Sequence, residues 1–242
     1  MVIAAHADDE AVGALGWAWA WEGEIAVAFL TDGAPARRWR PAGCKGRAGY
    51  RAQRKCEALA VWQGFAPRAR LYFAPFADQT LSFRLEEAAA WLAAMTAKVR
   101  PQTVLTPAYE GGHPDHDAAN LLTAGWAAQA RVEVWEYALY TAQAGGVVPQ
   151  NFPDEPQWRR RLCGGAAAAK QRALAGYTSQ AETLRLFAPE AEAVRPLPQH
   201  DYRHPALPGP AVYELWGWPW RARALAERYA AFVDGARARC AC

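Results

Sequence analysis

The chain has 242 residues, the length of one large domain with a buried core, and its 27 Lys and Arg against 24 Asp and Glu leave a formal charge of +3. With 52% hydrophobic residues and 12 tryptophans, the composition excludes a disordered chain. The basic residues are scattered, which argues against a nucleic-acid binder, and no apolar run reaches the roughly 20 residues that span a bilayer.

The predicted elements alternate between strand and helix as far as about residue 145. Short hydrophobic runs bounded by turn signals predict buried strands, and longer Ala-rich runs predict helices. The predicted strands are residues 1–5, 24–31, 70–74, 103–109 and 131–141. The predicted helices are residues 11–21, 50–62, 84–99 and 115–130, with a loop over residues 37–49. This alternation predicts an α/β fold, Rossmann-like, with a mostly parallel, doubly wound sheet flanked by helices.

The pattern is less regular beyond residue 145. Residues 158–180 are compatible with a helix, and the seven prolines of residues 189–219 indicate a surface segment or a pocket wall. A last strand is possible at residues 212–216, before a closing helix over residues 220–239. No break in composition divides the chain. We therefore predict a single domain over residues 1–242, in which residues 145–242 form an irregular part that shapes the substrate pocket.

Neither a secretory leader nor a disulfide framework is predicted. Acidic residues 8–10 interrupt the region where a leader would have its apolar core. The five cysteines are odd in number and contain no CxxC pair, and Cys240 and Cys242 are assigned no function. We expect a cytoplasmic protein that acts on a small molecule and binds no nucleic acid. Its oligomeric state is left open.

Two motifs rich in His and Asp follow the first and fourth predicted strands. They are AHADDE, residues 5–10, and GGHPDHD, residues 111–117. In a doubly wound sheet, ligands bind at the carboxyl ends of the strands where the strand order reverses, commonly between strands one and four. The fold therefore predicts that the two motifs face each other.

The residue types in these motifs are those of a catalytic metal site. His6, Asp9 and His116 form a two-His, one-carboxylate set, which suits zinc with a fourth position open to water. The same set would hold Fe²⁺, so the ligand types leave the metal open. Asp8, next to a ligand, is placed to accept a proton from water.

Each motif alone also has an ordinary structural explanation. His6 could donate to a backbone carbonyl, and the acidic residues 8–10 could cap the following helix. Two such clusters at loops that meet in this fold favour a functional site instead. His200 and His204 lie among prolines and are interpreted as loop residues.

The paired motifs resemble those of the LmbE-like, or PIG-L, N-acetylglucosamine deacetylases, whose first motif is usually AHPDDE and whose second resembles HPDH followed by small residues. The resemblance spans most of residues 1–180. It implies a zinc-dependent hydrolase that removes the N-acetyl group from an N-acetylglucosamine-type amino sugar or its conjugate, giving acetate and a free amine. Further similar positions are Thr31-Asp32-Gly33, Arg54 with Glu57, Lys170, Tyr177-Thr178-Ser179-Gln180 and, as a possible match, Glu214.

The resemblance implies a role for each matching residue of the first motif and for one of the second. His6, Asp9 and His116 would be the zinc ligands, and Asp8 the general base. Ala7 stands where the family usually has proline, which removes a rigid φ angle but no functional group.

The remaining roles belong to the second motif. His113 would act as the acid or electrostatic group, oriented by Asp115. Some family members place a tyrosine nearby to contact the substrate carbonyl, where this chain has Gly111 and Gly112. Tyr109 is the candidate to substitute for it.

Other positions have two interpretations. Arg54 resembles a substrate-contacting position but lies on a predicted basic helix face, and Asp78 could bind a sugar hydroxyl or form a turn. The tryptophans of residues 216–220 could face a sugar ring, although core packing is expected for most of them. The basic residues of 37–40 could meet an anionic substrate or only solvent.

Two alternatives to deacetylation stay open at the level of sequence. A related amidase would cleave a larger acyl group from a sugar or thiol conjugate with the same residues. A non-catalytic module would bind a nucleotide or sugar, but the chain has neither GxGxxG after the first strand nor a phosphate-binding GxxxxGK[ST].

Overall fold

The computed structural model describes residues 1–41, 43–44, 46–144, 146–152 and 158–240. The strands in this part of the chain are β1 (Val2–Ala4), β2 (Ala26–Thr31), β3 (Arg70–Phe76), β4 (Thr103–Pro107), β5 (Glu133–Tyr137), β6 (Tyr140–Gln143), β7 (Gly146–Pro149), β8 (Trp158–Arg161) and β9 (Ala191–Pro196). The helices are α1 (Asp9–Gly13), α2 (Leu15–Ala20), α3 (Gly46–Phe65), α4 (Leu85–Val99), α5 (Pro114–Ala130), α6 (Gly164–Gly176), α7 (Ala181–Leu184), α8 (Val212–Leu215) and α9 (Ala222–Cys240). Short 3₁₀ turns lie at Arg37–Trp39, Leu81–Phe83 and Thr178–Gln180.

A seven-stranded sheet in the described part of the chain has the order β3-β2-β1-β4-β5-β9-β8. The first five strands in this order pair in parallel, and β9 and β8 add antiparallel strands at one edge. The predicted α/β, mostly parallel, doubly wound architecture is confirmed. Strands β1 and β4 are neighbours, with Val2 paired to Leu105, so the strand order reverses where the sequence predicts it.

Helices cover both faces of the sheet because its strands are hydrophobic on both sides. In β1, Val2 and Ala4 belong to one core cluster, which also contains Trp62 of α3, whereas Ile3 belongs to the other, with Leu92 of α4. Alternate residues of a strand point to opposite faces, so an unbroken apolar run fits a sheet covered on both sides. This packing fixes the carboxyl ends of β1 and β4.

Three sequence predictions about individual elements are wrong. The run 131–141 is not one strand: β5 ends at Tyr137, and β6 begins at Tyr140 in a separate hairpin with β7. The chain turns there because the carboxylate of Glu110 accepts hydrogen bonds from the backbone N–H groups of Leu139 and Tyr140. A side chain distant in sequence thus decides where the strand ends.

The other two errors lie in the C-terminal part. Residues 158–161 form strand β8 rather than the start of a helix, because they pair with β9. Residues 212–216 hold helix α8 rather than a strand, and Glu214 accepts a hydrogen bond from the N–H of Ala211 at its start. The closing helix is confirmed as α9. Since β8 and β9 extend the main sheet, residues 145–242 are not irregular throughout.

Helix α3 begins at Gly46, inside the predicted loop 37–49. Among the described residues, no helix is both long enough and apolar enough to cross a membrane. Cys242 lies outside the described residues, as do Pro153 and Pro156.

Candidate metal centre and active site

The two His and Asp motifs meet at the carboxyl ends of β1 and β4. The first forms the turn between β1 and α1, and the second enters α5, whose N-cap is His113. His6 Nδ1 lies 3.3 Å from His116 Nε2, although the residues are 110 positions apart. Both side chains are buried. The convergence that the strand order predicts is therefore present.

Three side chains point ligand atoms at one small volume. Asp9 Oδ1 lies 3.2 Å from His116 Nε2, and Asp9 Oδ2 lies 3.6 Å from His6 Nδ1. Ligand atoms about 2.0–2.1 Å from one tetrahedral zinc would be separated by about 3.3 Å. The observed separations of 3.2–3.6 Å therefore fit a shared divalent ion.

Other combinations of side chains also bring donor atoms together in the described residues. Nitrogen atoms of His6, His113 and His116 lie within 4.8 Å of one another. So do atoms of a second set, His6, Asp78, His113 and Asp115. The Asp115 carboxylate, however, already accepts hydrogen bonds from the backbone N–H groups of Gln79 and Leu81, and a bond from the N–H of Asp115 occupies His113 Nδ1. His6, Asp9 and His116 also bring donor atoms together, and in this set Asp9 Oδ2 accepts a hydrogen bond of 2.8 Å from the N–H of His6.

The second ring nitrogen of His6 has carboxylate partners. His6 Nε2 lies 3.1 Å from Asp78 Oδ1 and 3.4 Å from Asp115 Oδ2. A histidine that binds a metal usually donates its other ring N–H to a carboxylate or carbonyl, which fixes the tautomer and leaves the facing nitrogen free. His6 is arranged in this way, with Nδ1 facing Asp9 and His116.

Asp8 occupies a strained position at the first turn of α1. Its φ and ψ are 154° and −27°, a region that residues other than glycine rarely adopt. Its N–H donates to Glu10 Oε2, and its carboxylate accepts a hydrogen bond of 3.1 Å from Arg54. A Cβ on Gly33 would lie 2.8 Å from Arg54 Nε, so glycine in the TDG segment leaves room for this guanidinium. Arg54 thus contacts the predicted base rather than forming a solvated helix face.

His113 is oriented by the backbone of Asp115 rather than by its carboxylate. The N–H of Asp115 donates to His113 Nδ1 at 3.0 Å. An accepting Nδ1 on a neutral imidazole leaves the proton on Nε2, where it can be donated. Burial lowers the pKa of His113 well below its usual value, and the neighbouring His6 and His116 lower it further. The arrangement favours a neutral donor.

Burial and close charges shift the other pKa values in opposite directions. Burial raises the pKa of Asp8 to about 6 despite the Arg54 guanidinium, which lowers it. Burial alone would raise the pKa of Asp9, but His116 and His6 hold it well below its usual range. Burial would likewise lower the pKa of His6, yet the carboxylates of Asp78 and Asp9 keep it well above normal. The carboxylates of this centre therefore favour the binding of a cation.

The centre opens into a cavity of about 630 Å³ with two unlike walls. The polar wall comes from α3 and the segment after α6, and its members are Gln53, Arg54, Thr178, Ser179, Gln180, Glu182 and Thr183. The other wall is aromatic, and its rings belong to Trp39, Tyr140, Trp216 and Trp218. The cavity is within the size range of small-molecule sites.

Tyr140 is a pocket residue that the sequence analysis missed. Its ring lies 5.5 Å from that of His116, and no hydrogen bond joins its hydroxyl to any described residue. Burial raises its pKa well above the usual value, and the carboxylates of Asp9 and Glu110 raise it further, so the phenol stays protonated. A Cβ on Gly112 would lie 2.2 Å from the carbonyl oxygen of Tyr140, so this glycine permits the close packing. Tyr140 lies inside the predicted strand 131–141, and nothing in that pattern indicated that its side chain lines the cavity.

The structure places the remaining predicted residues as follows. Asp78 lines the cavity but contacts His6. Tyr109 does not reach the cavity, because its hydroxyl donates to the carbonyl of His204 at 2.7 Å and its ring packs against Tyr202. Trp216 and Trp218 both line the cavity; Trp216 is 39% exposed, and Trp218 also packs against the hydrophobic core.

Residues 1–127 match the model of the GlcNAc-PI de-N-acetylase family, called PIG-L, which covers both motifs and more than half of the chain. The fold and the facing His and Asp motifs define an α/β protein of the LmbE-like type. The chain belongs to the PIG-L family. No curated protein matches the sequence in a direct search.

Several solved structures share the fold at low sequence identity. A deacetylase of the teicoplanin biosynthesis pathway is 19% identical to this chain, with a TM-score of 0.63. The matched region covers 81% of this chain and 96% of that deacetylase. A zinc-inhibited form of teicoplanin deacetylase is 17% identical with a TM-score of 0.60, covering 81% and 96%. The N,N'-diacetylchitobiose deacetylase of Pyrococcus horikoshii is 17% identical with a TM-score of 0.60, covering 81% and 82%. The similarity extends well beyond the family match into the C-terminal part.

Proposed function

We propose that this protein is a metal-dependent hydrolase that removes the N-acetyl group from an N-acetylglucosamine-type amino sugar or its conjugate. The observation that carries the proposal is the convergence of His6 Nδ1, His116 Nε2 and the Asp9 carboxylate within 3.2–3.6 Å of one another, beside Asp8. Membership of the PIG-L family and the deacetylases among the structural neighbours support it.

In this proposal, His6, Asp9 and His116 hold a divalent metal, with zinc as the first candidate and Fe²⁺ as the second. When bound, the metal supplies Lewis-acid polarisation and lowers the pKa of a water. The Asp78 and Asp115 carboxylates face His6 Nε2 and orient its ring. These contacts keep the donor atoms in place before substrate arrives.

Asp8 transfers the proton in the proposed reaction, and His113 stabilises the developing charge. An Asp8 carboxylate oxygen takes a proton from the attacking water as the bond from the water oxygen to the acyl carbon forms. The Nε2–H of His113 donates a hydrogen bond to the acyl oxygen, on which negative charge develops, and keeps its proton throughout. The C–N bond then breaks, and the proton held on Asp8 passes to the departing nitrogen. The products are acetate and the free amino sugar.

Metal analysis combined with an acetate assay tests this proposal. We expect the purified protein to carry about one divalent ion per chain and to release acetate from methyl N-acetylglucosaminide. Chelation should abolish the activity, and stoichiometric readdition of zinc or iron should restore it. Because one structural neighbour is described as a zinc-inhibited form, the metal is titrated rather than added in excess. Unchanged acetate release by the metal-free protein would refute the proposal.

A further inference from the structure

The aromatic wall of the cavity extends outwards from the metal centre as one connected series of rings. Tyr140 lies beside His116, and Trp216 follows with its ring centre 5.6 Å from that of Tyr140. Trp218 lies 5.7 Å from Trp216, and Trp39 lies 5.5 Å from Trp218. These rings form a continuous apolar surface between the reacting centre and the rim of the cavity.

Three separate segments build this surface, and Tyr140 belongs to β6. Trp39 lies in a 3₁₀ turn that precedes α3, whereas Trp216 and Trp218 follow α8 near the C-terminal end of the chain. The N–H of Val212 at the start of α8 donates to the carbonyl of Gly111, which attaches this segment to the loop before His113. Trp218 also contacts the His113 ring at 5.2 Å. The C-terminal tryptophans are therefore fixed to the active-site loop.

Core packing alone does not explain the position of these side chains, although Trp218 also packs against the hydrophobic core. Trp216 is 39% exposed, Trp39 and Trp218 are only partly buried, and all three line the cavity. Tryptophan is usually well buried, and partly exposed aromatic residues at a cavity commonly contact a ligand. The polar wall carries hydroxyl, amide and charged groups, which suit a sugar. One cavity thus offers different surfaces to two parts of a substrate.

We propose that the aromatic wall formed by Trp39, Trp216 and Trp218 binds an aromatic aglycone attached to the amino sugar. This inference rests on the proposed function for the position of the sugar, whose acetamide group would lie at the metal centre. The polar wall then faces the sugar hydroxyls, and the flat group stacks on the indole rings. The preferred substrate would be an aryl conjugate rather than a free amino sugar or an alkyl glycoside.

The test compares phenyl and methyl N-acetylglucosaminide. We expect the phenyl compound to have a kcat/KM at least about fivefold higher, as aromatic stacking of ordinary strength would give. In Trp39→Ala and Trp218→Ala, the ratio of kcat/KM for the phenyl compound to kcat/KM for the methyl compound should fall to below about twofold. Trp39 touches none of the three site histidines, so its variant separates aglycone binding from damage to the centre. Trp21→Ala, which removes a half-exposed tryptophan outside the cavity lining, is the matched control.

A binding measurement keeps the inference distinct from the proposed reaction. Calorimetric dissociation constants for both glycosides, measured on Asp8→Asn, should show the same preference and its loss in the double variants with Trp39→Ala. Equal binding of phenyl and methyl glycosides, a preference that survives in the tryptophan variants, or tighter binding of N,N'-diacetylchitobiose than of the phenyl glycoside would overturn the aromatic-aglycone inference. If the preference in binding holds but no acetate is released by the unmodified protein, the deacetylase proposal fails and the aglycone site stands.

Discussion

Asp8 has a backbone conformation that few residues other than glycine adopt, and its carboxylate faces a buried arginine. Strain of this kind persists only where the surroundings determine it, and it is common in active sites. Glu10 holds the N–H of Asp8, and Arg54 holds its side chain. The contacts therefore aim one carboxylate at the centre while Asp9, the next residue, turns towards the two histidines.

Asp8→Asn should separate catalysis from metal binding. The amide keeps the size of the side chain but cannot take a proton, so we expect turnover to fall by roughly 10²–10⁴-fold with metal content unchanged. His116→Ala, by contrast, should lose the metal, because it removes one of three converging donor atoms. Elemental analysis and acetate release on both variants provide the measurement. An unchanged rate in Asp8→Asn would remove this residue from the mechanism.

Tyr140→Phe tests whether the unpartnered hydroxyl in the cavity contacts the substrate. The phenol is buried, protonated and adjacent to His116. If it donates to the acyl oxygen, its loss should lower kcat by about 10²-fold without changing metal content or the unfolding free energy by more than about 0.5 kcal/mol.

Tyr109→Phe is the matched control for this variant. The Tyr109 hydroxyl donates to the carbonyl of His204 and does not reach the cavity. We expect it to cost about 1 kcal/mol of stability and to leave kcat unchanged. Equal kcat for Tyr140→Phe and the unmodified protein would show that the Tyr140 hydroxyl has no part in turnover.

At the scale of elements, the polar wall depends on a contact between α3 and the 3₁₀ turn after α6. The Glu57 carboxylate accepts hydrogen bonds from Thr178 Oγ1 at 2.8 Å, from the N–H of Ser179 at 2.9 Å and from Ser179 Oγ at 2.6 Å. Glu57 and the Thr178-Ser179-Gln180 segment are both among the positions similar to the LmbE-like family. These bonds give a structural reason for finding the two together. They attach one wall of the cavity to the helix that also carries Arg54.

Glu57→Gln should weaken this attachment and change how stability depends on pH. Burial alone would raise the pKa of Glu57, but the bonds from Ser179 and Thr178 lower it below its usual value of 4.5. The carboxylate therefore stabilises the folded chain above that value, and the contribution disappears as the pH falls through the lowered pKa. We expect the variant to be less stable by about 1–2 kcal/mol at neutral pH, because an amide cannot accept all three bonds.

Urea unfolding as a function of pH measures this effect. The difference in unfolding free energy between Glu57→Gln and the unmodified chain should shrink below pH 4.5. Glu87→Gln, at an exposed Glu paired with Arg84, serves as the control and should change stability less than Glu57→Gln does. A difference that is constant with pH would mean that the Glu57 charge makes no net contribution.

At the scale of the whole molecule, a buried lysine joins segments that are distant in sequence. Lys170 of α6 donates to the carbonyl of Val12 in α1, at 2.5 Å, and to the carbonyl of Ala191 in β9, at 2.7 Å. It also pairs with Glu192 at 3.0 Å, and both side chains are fully buried. These contacts fix β9 and α6 to the helix that begins at the first motif.

Lys170→Met should destabilise the molecule as a whole. It leaves the Glu192 carboxylate buried without its ionic partner, for which we expect a loss of about 3–5 kcal/mol. Lys98→Met, at an exposed position, should change stability by no more than about 0.5 kcal/mol. Calorimetry should show one unfolding transition for the unmodified chain if residues 1–242 form one cooperative domain. Two separate transitions, with only one shifted in Lys170→Met, would contradict the single-domain prediction.

The local sequence pattern predicts the parallel strands of the sheet but not the strand at its antiparallel edge. The parallel strands up to β5 are short hydrophobic runs between turn signals, so their positions follow from the local pattern. Strand β8 consists of one Trp and three Arg residues, all exposed, and only pairing with β9 makes it a strand. Residues 212–216 carry a strand-like composition, yet the bond to Gly111 and the Glu214 cap give a helical turn. Pairing with β9 therefore decided β8, whereas a local cap and one bond to a distant loop decided α8.

The sequence by itself determined the alternation of strands and helices and the chemical character of the two motifs, because periodicity and residue type are local properties. The meeting of the motifs followed from one general rule about strand order. Only the tertiary structure decided that the backbone of Asp115 orients His113, that Tyr140 rather than Tyr109 lies at the cavity, and that tryptophans from both ends of the chain form one wall. These features depend on packing between residues far apart in sequence, which no local pattern encodes.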